Sequence, residues 1–529
     1  MRRVLPLLWL AACGGDETFM IVTIDSVPAV HDVATIQVDL DNDGQTRGDS
    51  FDTDKLAFPA TFSISAPGRS GGLAISVSAF DDDGLLVGRG STTTTIDAPT
   101  AAVKLDSADF VVNTDFAGDQ FPSNDFESDG FQIGATADGT WTAVYRDSCS
   151  APCNMFARRF DVTGRPVSSA LAAGTNGFAV STELSDGFFT TPATASNGSS
   201  TIAVWNFSEV APSTASGIAC RALDAAGNAT GDQVVLSTET VFPFAVSAAP
   251  LGASSFVVVW NSSVTDNITR ATTVNTNCQP SALVDISTIV TDNGAIRPSV
   301  ATNGDRILYS WTNGGNARFR MMSDTNTAVT PDLALVVANA NEEVRFTRAV
   351  RLGNGFGIFV RWISATNMGP SKIELYRVNA AGQVQNPPIL ITTKTGSDFE
   401  SARNFSVGTR PDDGTVLVAW HSCMDINDGS GCGVFGRLVG SDGQPIGEEF
   451  SLATTLENAQ TQPSVVGLPG AFAAIWKDES QQDPDVAGSA VRGRVLYPPV
   501  SGSGSAKPQE PRAVFPTIEW AYAGSSSAR

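Results

Sequence analysis

Seven short apolar runs, each ending in an aromatic residue, recur along the chain at intervals of 51 to 60 residues. The aromatic residues are Tyr145, Trp205, Trp260, Trp311, Trp362, Trp420 and Trp476. The runs are rich in β-branched residues and are bounded by Gly, Asn or Asp, which favours strands over helices. Because four strands and their turns fill about 55 residues, this period predicts one four-stranded propeller blade per repeat.

The segments around each aromatic run repeat as well. A first strand precedes the run, often introduced by proline as at Pro192, Pro298 and Pro463. A third strand carries an arginine in every repeat, and a glycine-containing hairpin turn follows it. These arginines are Arg159, Arg221, Arg270, Arg320, Arg377, Arg437 and Arg494. We interpret them as structural residues, with stems that pack on the blade and head groups that pair locally.

The seventh repeat has no fourth strand, because its third strand runs from Gly493 into Tyr497 and a Gly/Ser-rich tail. Residues 109–114 stand upstream of the repeats and resemble the fourth strand of the sixth repeat, which contains Glu449. We therefore predict that 109–114 completes the last blade and closes the ring without exposed strand edges. The predicted fold is all-β, with a seven-bladed β-propeller over residues 108–500.

Residues 20–107 precede the repeats and do not share their period. Short strands with turn signals over about 90 residues are typical of a small antiparallel β-sandwich of the immunoglobulin or fibronectin type. Residues 501–529 form a tail rich in Gly, Ser and Pro. Its aromatic residues leave two alternatives open, an added strand or a disordered tail.

The N-terminus has the pattern of a lipoprotein export signal. Two arginines and the apolar stretch 4–10 precede Leu-Ala-Ala-Cys13, which resembles a lipobox. This pattern predicts a signal peptide at 1–12, a lipid on Cys13 and a tether at 13–19. The apolar stretch is much shorter than the roughly 20 residues that span a bilayer. We therefore expect the chain to reach the membrane through its lipid.

The layout as a whole resembles a broad group of bacterial secreted lipoproteins. Their repeats read roughly P-x-V-A-x-x-G-x-F-x-V-x-W, followed by R-x-x-x-x-x-G. The resemblance implies a propeller at the bacterial surface. The glycines after Cys13 are similar to those of Gram-negative lipoproteins, which implies the outer membrane or cell surface. The resemblance implies no particular activity, because propellers host many functions.

Six cysteines remain once Cys13 carries lipid, which permits three disulfides in an oxidising compartment. The local pairs Cys149–Cys153 and Cys423–Cys432 are the expected ones. Cys220 with Cys278 follows only by elimination.

Charge and carboxylate spacing bear on possible ligands. The chain has 55 acidic and 33 basic residues, and this acidic balance argues against a nucleic-acid partner. Asp39, Asp41 and Asp43 are spaced like the ligands of a calcium loop, followed by Gly44. The twelfth position of such a loop is Ser50 and not glutamate, so an acidic solvated loop is the alternative. No other cofactor is predicted.

The connections between the second and third strands differ in length among the repeats. The gap from the aromatic residue to the arginine ranges from 9 to 18 residues; it is 14 to 18 residues in the adjacent blades six, seven, one and two, and only 9 or 10 in blades three and four. Because loops carry binding function, this predicts an acidic binding site over those blades, with neutral drift in loop length as the alternative. Its predicted residues are Asp147, Asp425, Asp428, Asp478, Glu479 and Asp485.

No catalytic constellation stands out. The two histidines, His31 and His421, fall in different predicted domains, which gives a Ser-His-Asp triad little support. The sequence thus predicts a non-catalytic, lipid-anchored surface protein that binds an unknown protein or glycan or acts as a scaffold. The alternatives are a carbohydrate-active hydrolase or lyase, since carboxylates are plentiful, and a structural envelope-assembly lipoprotein.

Overall fold

The structure of the protein is a computed structural model that describes residues 19–114, 132–136, 138–146, 155–169, 171, 174, 176–181, 192–208, 216–238, 241–262, 268–288, 295–339, 341–364, 371–393, 403–423, 431–482, 488–498 and 511–520. The regular elements in these ranges are β-strands, and no helix there is long and apolar enough to cross a membrane. The chain divides into two compact units, residues 1–108 with 500–529, and residues 109–499.

The first unit is built from eight strands. Strands β1 to β7 are Phe19–Ser26, Thr35–Asn42, Gln45–Asp52, Ala60–Ser65, Gly72–Phe80, Leu86–Thr95 and Thr100–Ser107, and β36 is Ala513–Glu519. They form one sheet in the order β3-β2-β5-β6-β7-β1-β4-β36. Strands β6 and β7 share only the pairs Gly88–Ser107 and Arg89–Asp106, so the sheet has two four-stranded halves. Apolar and polar residues alternate along β2, which buries one of its faces.

Two pairings in this unit differ from a purely antiparallel sandwich. Strand β1 is parallel to β7, and β36 is parallel to β4. The tail therefore adds a strand, one of the two alternatives that its aromatic residues left open. Phe515 stacks on Phe51 with ring centroids 5.1 Å apart, and the Arg69 guanidinium lies 4.0 Å from the Trp520 ring centroid.

The second unit contains seven four-stranded sheets. The first strands of blades one to seven are β9 (Gln132–Ala135), β13 (Pro192–Ser196), β17 (Val241–Leu251), β21 (Ala295–Thr302), β25 (Glu342–Leu352), β29 (Arg403–Thr409) and β33 (Gln460–Leu468). The second strands are β10 (Trp141–Arg146), β14 (Ser200–Ser208), β18 (Ser255–Ser262), β22 (Arg306–Asn313), β26 (Gly355–Ser364), β30 (Val416–Ser422) and β34 (Ala471–Asp478). The third strands are β11 (Met155–Phe160), β15 (Ser216–Asp224), β19 (Ile268–Asn275), β23 (Asn316–Ser323), β27 (Lys372–Val378), β31 (Gly433–Val439) and β35 (Ala490–Leu496). The fourth strands are β12 (Phe178–Ala179), β16 (Val234–Ser237), β20 (Val284–Asp285), β24 (Leu333–Val336), β28 (Val384–Leu390), β32 (Pro445–Ser451) and β8 (Phe110–Val111).

These sheets form a closed ring. Each first strand lies against the first strands of both neighbouring blades, from β9 round to β33 and back to β9. The seven aromatic residues that mark the repeats are all buried. Trp260, for example, belongs to the core shared by blades two and three, and Trp311 to the core shared by blades three and four. The second strands are apolar on both faces because a neighbouring blade covers each face. The predicted seven-bladed β-propeller is confirmed.

The seventh blade takes its outermost strand from upstream of the repeats. Strand β8 pairs with β35, with Phe110 opposite Gly493 and Val111 opposite Arg492. This is the pairing that the truncated seventh repeat predicts. The Phe110 ring also lies 5.5 Å from Phe160 of blade one, measured between centroids. The closing strand therefore joins the last blade to the first.

A buried ionic group holds this closure. The Nε atom of Arg492 donates to Asp478 at 2.8 Å, and its Nη1 lies 3.7 Å from an oxygen of Asp109. Asp109 also accepts hydrogen bonds from the backbone N–H groups of Thr454 and Thr455 in blade six. All three charged side chains are at most 5% exposed. The group links the closing strand, blade seven and blade six.

Five arginines of the third strands connect neighbouring blades. Each donates to the carbonyl oxygen of the residue that follows the outermost strand of the preceding blade, at 2.6 to 3.0 Å. The pairs are Arg158–Val112, Arg221–Val180, Arg320–Ile286, Arg437–Ile391 and Arg494–Leu452. In the third strands of blades three and five, Thr272 and Tyr376 stand where the other five blades have the connecting arginine.

Three of the arginines that the repeat pattern aligned, Arg159, Arg270 and Arg377, do not occupy this connecting position. In blades one, two, four and six, the connecting arginine stands six positions before the residue with positive φ in the turn after the third strand. In blade one that turn residue is Gly164, and the residue six positions before it is Arg158. Arg159 faces the other way and donates to a blade-two carbonyl, because successive strand residues point to opposite faces. Arg377 donates to a turn carbonyl of blade six, and Arg270 pairs with Asp285 of its own blade.

Disulfides follow the propeller geometry. Cys220 of blade two is bonded to Cys278, which follows β19 in blade three, and both are fully buried. Cys423 is bonded to Cys432 across the connection between the second and third strands of blade six. The predicted Cys149–Cys153 pair lies outside the described residues.

Substitution of Arg492 tests the closing group. We expect Arg492→Leu to lower the free energy of unfolding by about 3–5 kcal/mol, because it leaves the carboxylates of Asp109 and Asp478 buried without their cation. Urea unfolding at pH 7 measures this change.

Arg270→Leu is the matched control. Arg270 stands opposite Trp260 as Arg492 stands opposite Trp476, but its partner Asp285 is 60% exposed. Loss of such an ion pair costs at most about 1 kcal/mol. Equal losses in the two variants would contradict the role assigned to the buried group.

Candidate functional site

The ring encloses a channel of about 1020 Å³ between the first strands of the blades. All seven first strands contribute to its wall, together with several of the turns that lead into the second strands. Among the described strands, each first strand pairs with a second strand on one side and with no strand on the other. Its other edge is therefore free to present backbone N–H and C=O groups along the channel wall.

Most side chains of the wall are small. Ala, Ser, Thr, Gly and Val predominate, so the backbone edges stay accessible. Two glycines are required where blades six and seven meet. A Cβ atom on Gly467 would lie 2.0 Å from the carbonyl oxygen of Thr409, and one on Gly408 would lie 2.9 Å from the Cα of Val466. Larger residues at these two positions would push the strands apart.

In the part of the chain that the structure describes, five charged residues line the channel, namely Arg348, Arg351, Arg410, Asp412 and Asp413. Arg410 holds both aspartates of its own turn, with Nε 3.1 Å from Asp412 Oδ1 and Nη2 3.5 Å from Asp413 Oδ2. The hydrogen bond from Arg410 holds the pKa of the Asp412 carboxyl below its usual range. Asp412 is therefore ionised near neutral pH and holds no proton to donate.

Arg348 and Arg351 stand on the same strand, β25, and on opposite faces of it. Arg348 is on the side of blade six, where its guanidinium lies 5.8 Å from the centroid of the Phe405 ring. Arg351 shares its face with Ala349, which packs in the core between blades four and five. The Arg348 guanidinium also donates to the carbonyl oxygen of Thr347 and lies 5.7 Å from the Phe346 ring centroid, so the two arginines point toward different neighbouring blades.

The acidic site predicted over blades six, seven, one and two is only partly described. Asp147, Asp425, Asp428 and Asp485 lie outside the described residues. Glu479 is bound by Lys477 at 2.6 Å. Asp478 is 1% exposed and belongs to the buried group that closes the ring. The site therefore stays a prediction, and Asp478 has a structural role in the ring.

Asp478 is enclosed by donors. Gln460 donates to one carboxylate oxygen at 3.2 Å, and Ser480 and Arg492 donate to the other. Burial raises the pKa of the Asp478 carboxyl above its usual range, and these hydrogen bonds act in the opposite direction. Because the described neighbours surround both oxygens, a ligand has little access to this carboxylate.

The calcium candidates lie in a β-hairpin of the first unit. Asp39 and Asp41 stand on the exposed face of β2, and Asp43 lies in the turn to β3 with a φ of 53°. Asp41 accepts a hydrogen bond from the N–H of Gly44, and Asp39 accepts one from the side chain of Gln37. Within the described ranges no three His, Cys, Asp or Glu side chains are grouped to hold a metal ion. Calcium binding stays a prediction, and so does the lipid on Cys13, which lies outside those ranges.

Sequence reasoning missed the channel arginines. The signal was present in the repeats, because Arg345, Arg348 and Arg351 follow one another at three-residue spacing in the first strand of blade five. The first strands of the other blades carry mostly small residues at the positions where Arg348 and Arg351 line the wall. A residue-by-residue alignment of the first strands would have singled out blade five.

No protein-family model matches the chain, and no curated protein matches its sequence. Among solved structures, the BP39L lectin from Burkholderia pseudomallei is 13% identical with a TM-score of 0.48, covering 71% of this chain and 99% of the lectin. The Dos1 propeller is 8% identical with a TM-score of 0.38, covering 74% and 94%. The GH43 endo-arabinanase from Bacillus licheniformis is 12% identical with a TM-score of 0.30, covering 48% and 96%. At these values the likeness concerns the fold and decides no function.

The ion pair on the channel wall makes a pH-dependent prediction. We expect Arg410→Gln to raise the pKa of Asp412 toward that of a free aspartate, because the variant removes the charged donor. The folded-state pKa of Asp412 is depressed, so the pair stabilises the fold above about pH 4 and this contribution is lost as the pH falls through the folded-state pKa. NMR titration of the Asp412 carboxyl carbon measures the change. Arg351→Gln is the control and should leave this pKa unchanged, and an unchanged value in Arg410→Gln would refute the assignment.

Proposed function

We propose that the protein is a non-catalytic binding or scaffold protein whose propeller takes a polar ligand, a glycan or a protein segment, into its central channel. The observation that carries this proposal is the channel itself. Its volume of about 1020 Å³ is at the upper end of the range for ligand pockets, about 300–1,000 Å³. Open strand edges supply backbone donors and acceptors along the wall, and these suit a ligand rich in hydroxyl or amide groups.

The charged residues of the wall favour binding over hydrolysis of a glycan. A glycosidase uses two carboxyl groups on either side of the scissile bond, and one of them needs a raised pKa to act as the acid. The carboxylates among the described lining residues are Asp412 and Asp413, which are adjacent in one turn and share Arg410. The pKa of Asp412 is lowered, opposite to what a proton donor requires. The hydrolase alternative therefore takes second place.

A channel-filling substitution tests the proposal. Ala135 lines the channel and is half-buried, so Ala135→Trp should fill part of the cavity and abolish binding. Gln385→Trp adds the same side chain at an exposed position of β28 and is the control. We expect the wild-type protein and the control to bind at least one member of an array of neutral and acidic glycans or of a periplasmic peptide library. Retained binding by Ala135→Trp, or turnover of a bound glycan by the wild-type protein, would contradict the proposal.

We also propose that a lipid on Cys13 attaches the protein to the outer membrane of a Gram-negative bacterium. The lipobox-like sequence and the disulfides Cys220–Cys278 and Cys423–Cys432 support an exported protein. We expect labelled palmitate to be incorporated into the wild-type protein in a Gram-negative host and not into Cys13→Ser. A wild-type protein without label would contradict the anchor while leaving the channel proposal intact.

A further inference from the structure

We propose that the exposed face of β7, β1, β4 and β36, which we call the β1 face, lies on the surface of a lipid bilayer when Cys13 is anchored there. This inference rests on the proposed lipid anchor and assigns the part of the first unit that contacts the membrane. These four strands are neighbours in the sheet of that unit, so their outward side chains form one continuous surface.

Two large apolar side chains stand exposed at the start of the β1 face. Phe19 and Ile21 are each 51% exposed, and within the described ranges no other aromatic side chain is as exposed as Phe19. They alternate along β1 with Met20 and Val22, which are buried in the core of the unit. The core therefore does not require an apolar residue at either outward position, and grouped exposed apolar side chains mark contact surfaces.

The centre of the β1 face is uncharged. In the row of Ile21, the neighbours across the sheet are Thr517, Ser63 and Thr100, and the hydroxyl oxygens of Ser63 and Thr517 lie 2.7 Å apart. The next row consists of Val514, Thr61, Thr23 and Ala102. Val514 is 75% exposed, so it extends the apolar surface to β36. The three exposed apolar side chains are thus set among small hydroxyl groups.

Charged residues stand at the borders of the β1 face and on the other half of the sheet. Glu519 lies at one end of the face, and Asp25 stands opposite Lys104 at the other end. The outward face of β2, in the other half, exposes Asp39 and Asp41. The chain carries a net charge of −22, and anionic lipids repel acidic surfaces. Of these two faces, the uncharged β1 face therefore approaches a bilayer at the lower electrostatic cost.

The proposed tether is too short to hold the β1 face far from the membrane. Five residues, 14–18, separate Cys13 from Phe19. Even fully extended, the six steps from Cys13 to Phe19 span at most about 22 Å. Apolar side chains that enter the boundary between head groups and acyl chains strengthen a lipid anchor, because stable attachment takes more than one signal. Phe19, Ile21 and Val514 supply this second contact.

Hydroxyl-radical footprinting of the mature chain, from Cys13 onward, tests the proposal. The Cys13 thiol is coupled to a maleimide lipid in vesicles of phosphatidylethanolamine and phosphatidylglycerol, so the test does not depend on lipidation in a cell. We expect oxidation of Phe19, Ile21 and Val514 to slow about five-fold or more relative to the protein without vesicles, because the bilayer excludes water from these side chains. Phe80 is the control and should be oxidised equally in both samples, since it stands on the outward face of the other half of the sheet.

A double variant separates docking of the face from mere nearness to the vesicle. Phe19→Thr with Ile21→Thr keeps residues that favour strands in β1 and should abolish the protection of Val514 on the tethered vesicles. Leu390→Thr with Ile446→Thr is the matched control, because it removes two apolar side chains that are 45% and 41% exposed on β28 and β32. It should leave Val514 protected. Thermal unfolding confirms that both variants are folded.

Several outcomes would overturn the proposal. One is equal oxidation of Phe19 and Ile21 with and without vesicles, and another is protection of Val514 that persists in the Phe19→Thr, Ile21→Thr variant. Equal protection of Phe80 would show that the vesicle shields the whole unit. Protection in concentrated protein without vesicles would identify a second copy of the chain as the occupant of the face.

The test also separates this inference from the proposed anchor. A wild-type chain that incorporates no labelled palmitate refutes the lipid on Cys13 in the cell. Lack of protection on the chemical tether refutes the membrane contact of the β1 face alone and leaves the anchor intact.

Discussion

The pairing of β8 with β35 is the constraint on which the propeller depends. Next to this pairing, the backbone N–H of Val491 donates to the side chain of Asn113, a residue 378 positions away in the chain. A blade that is apolar on both faces is stable only between two neighbours, because each face would otherwise be open to water. The closing strand completes blade seven, so that blades one and six each meet a full four-stranded sheet. The central channel exists because the ring is closed.

Contacts between neighbouring blades stabilise the closed ring at several further points. Five arginines bind the ends of preceding blades, and the Cys220–Cys278 disulfide joins blades two and three. Buried groups of this kind stabilise only when both partners are present, because a buried donor without its acceptor costs free energy. The buried ionic group of blade seven follows the same rule, because Arg492 is the cation for both Asp109 and Asp478.

Much of the fold was predictable from the repeats, while parts of it were not. Aromatic residues at a regular spacing located the second strands, and the incomplete seventh repeat pointed to 109–114. Register was harder, because Arg158 and Arg159 are adjacent arginines that face opposite blades, and only the distance to the turn glycine separates them. The pairing of β36 with β4 was left open because it joins distant segments without a shared motif.

The candidate site was the least predictable part. Loop length and surface acids pointed to one rim of the ring, whereas the cavity that the described residues form is lined by the first strands and their turns. Asp478 shows why the prediction failed to separate surface acids from buried ones. Its neighbours in the sequence resemble a loop, whereas its burial depends on contacts with Arg492, Gln460 and Ser480. The arginines of β25 recur at three-residue spacing, but only the position of this strand in the closed ring places Arg348 and Arg351 at the channel.

Native-state hydrogen exchange measures the dependence of the ring on its closing strand most directly. The amides of β8 and β35 should exchange only with global unfolding of the propeller, at the same opening free energy as the core of blades three and four. Their exchange should also show the same dependence on denaturant concentration. Exchange of β8 through a local opening that leaves blades three and four protected would contradict the account, because the ring would then persist without its closure.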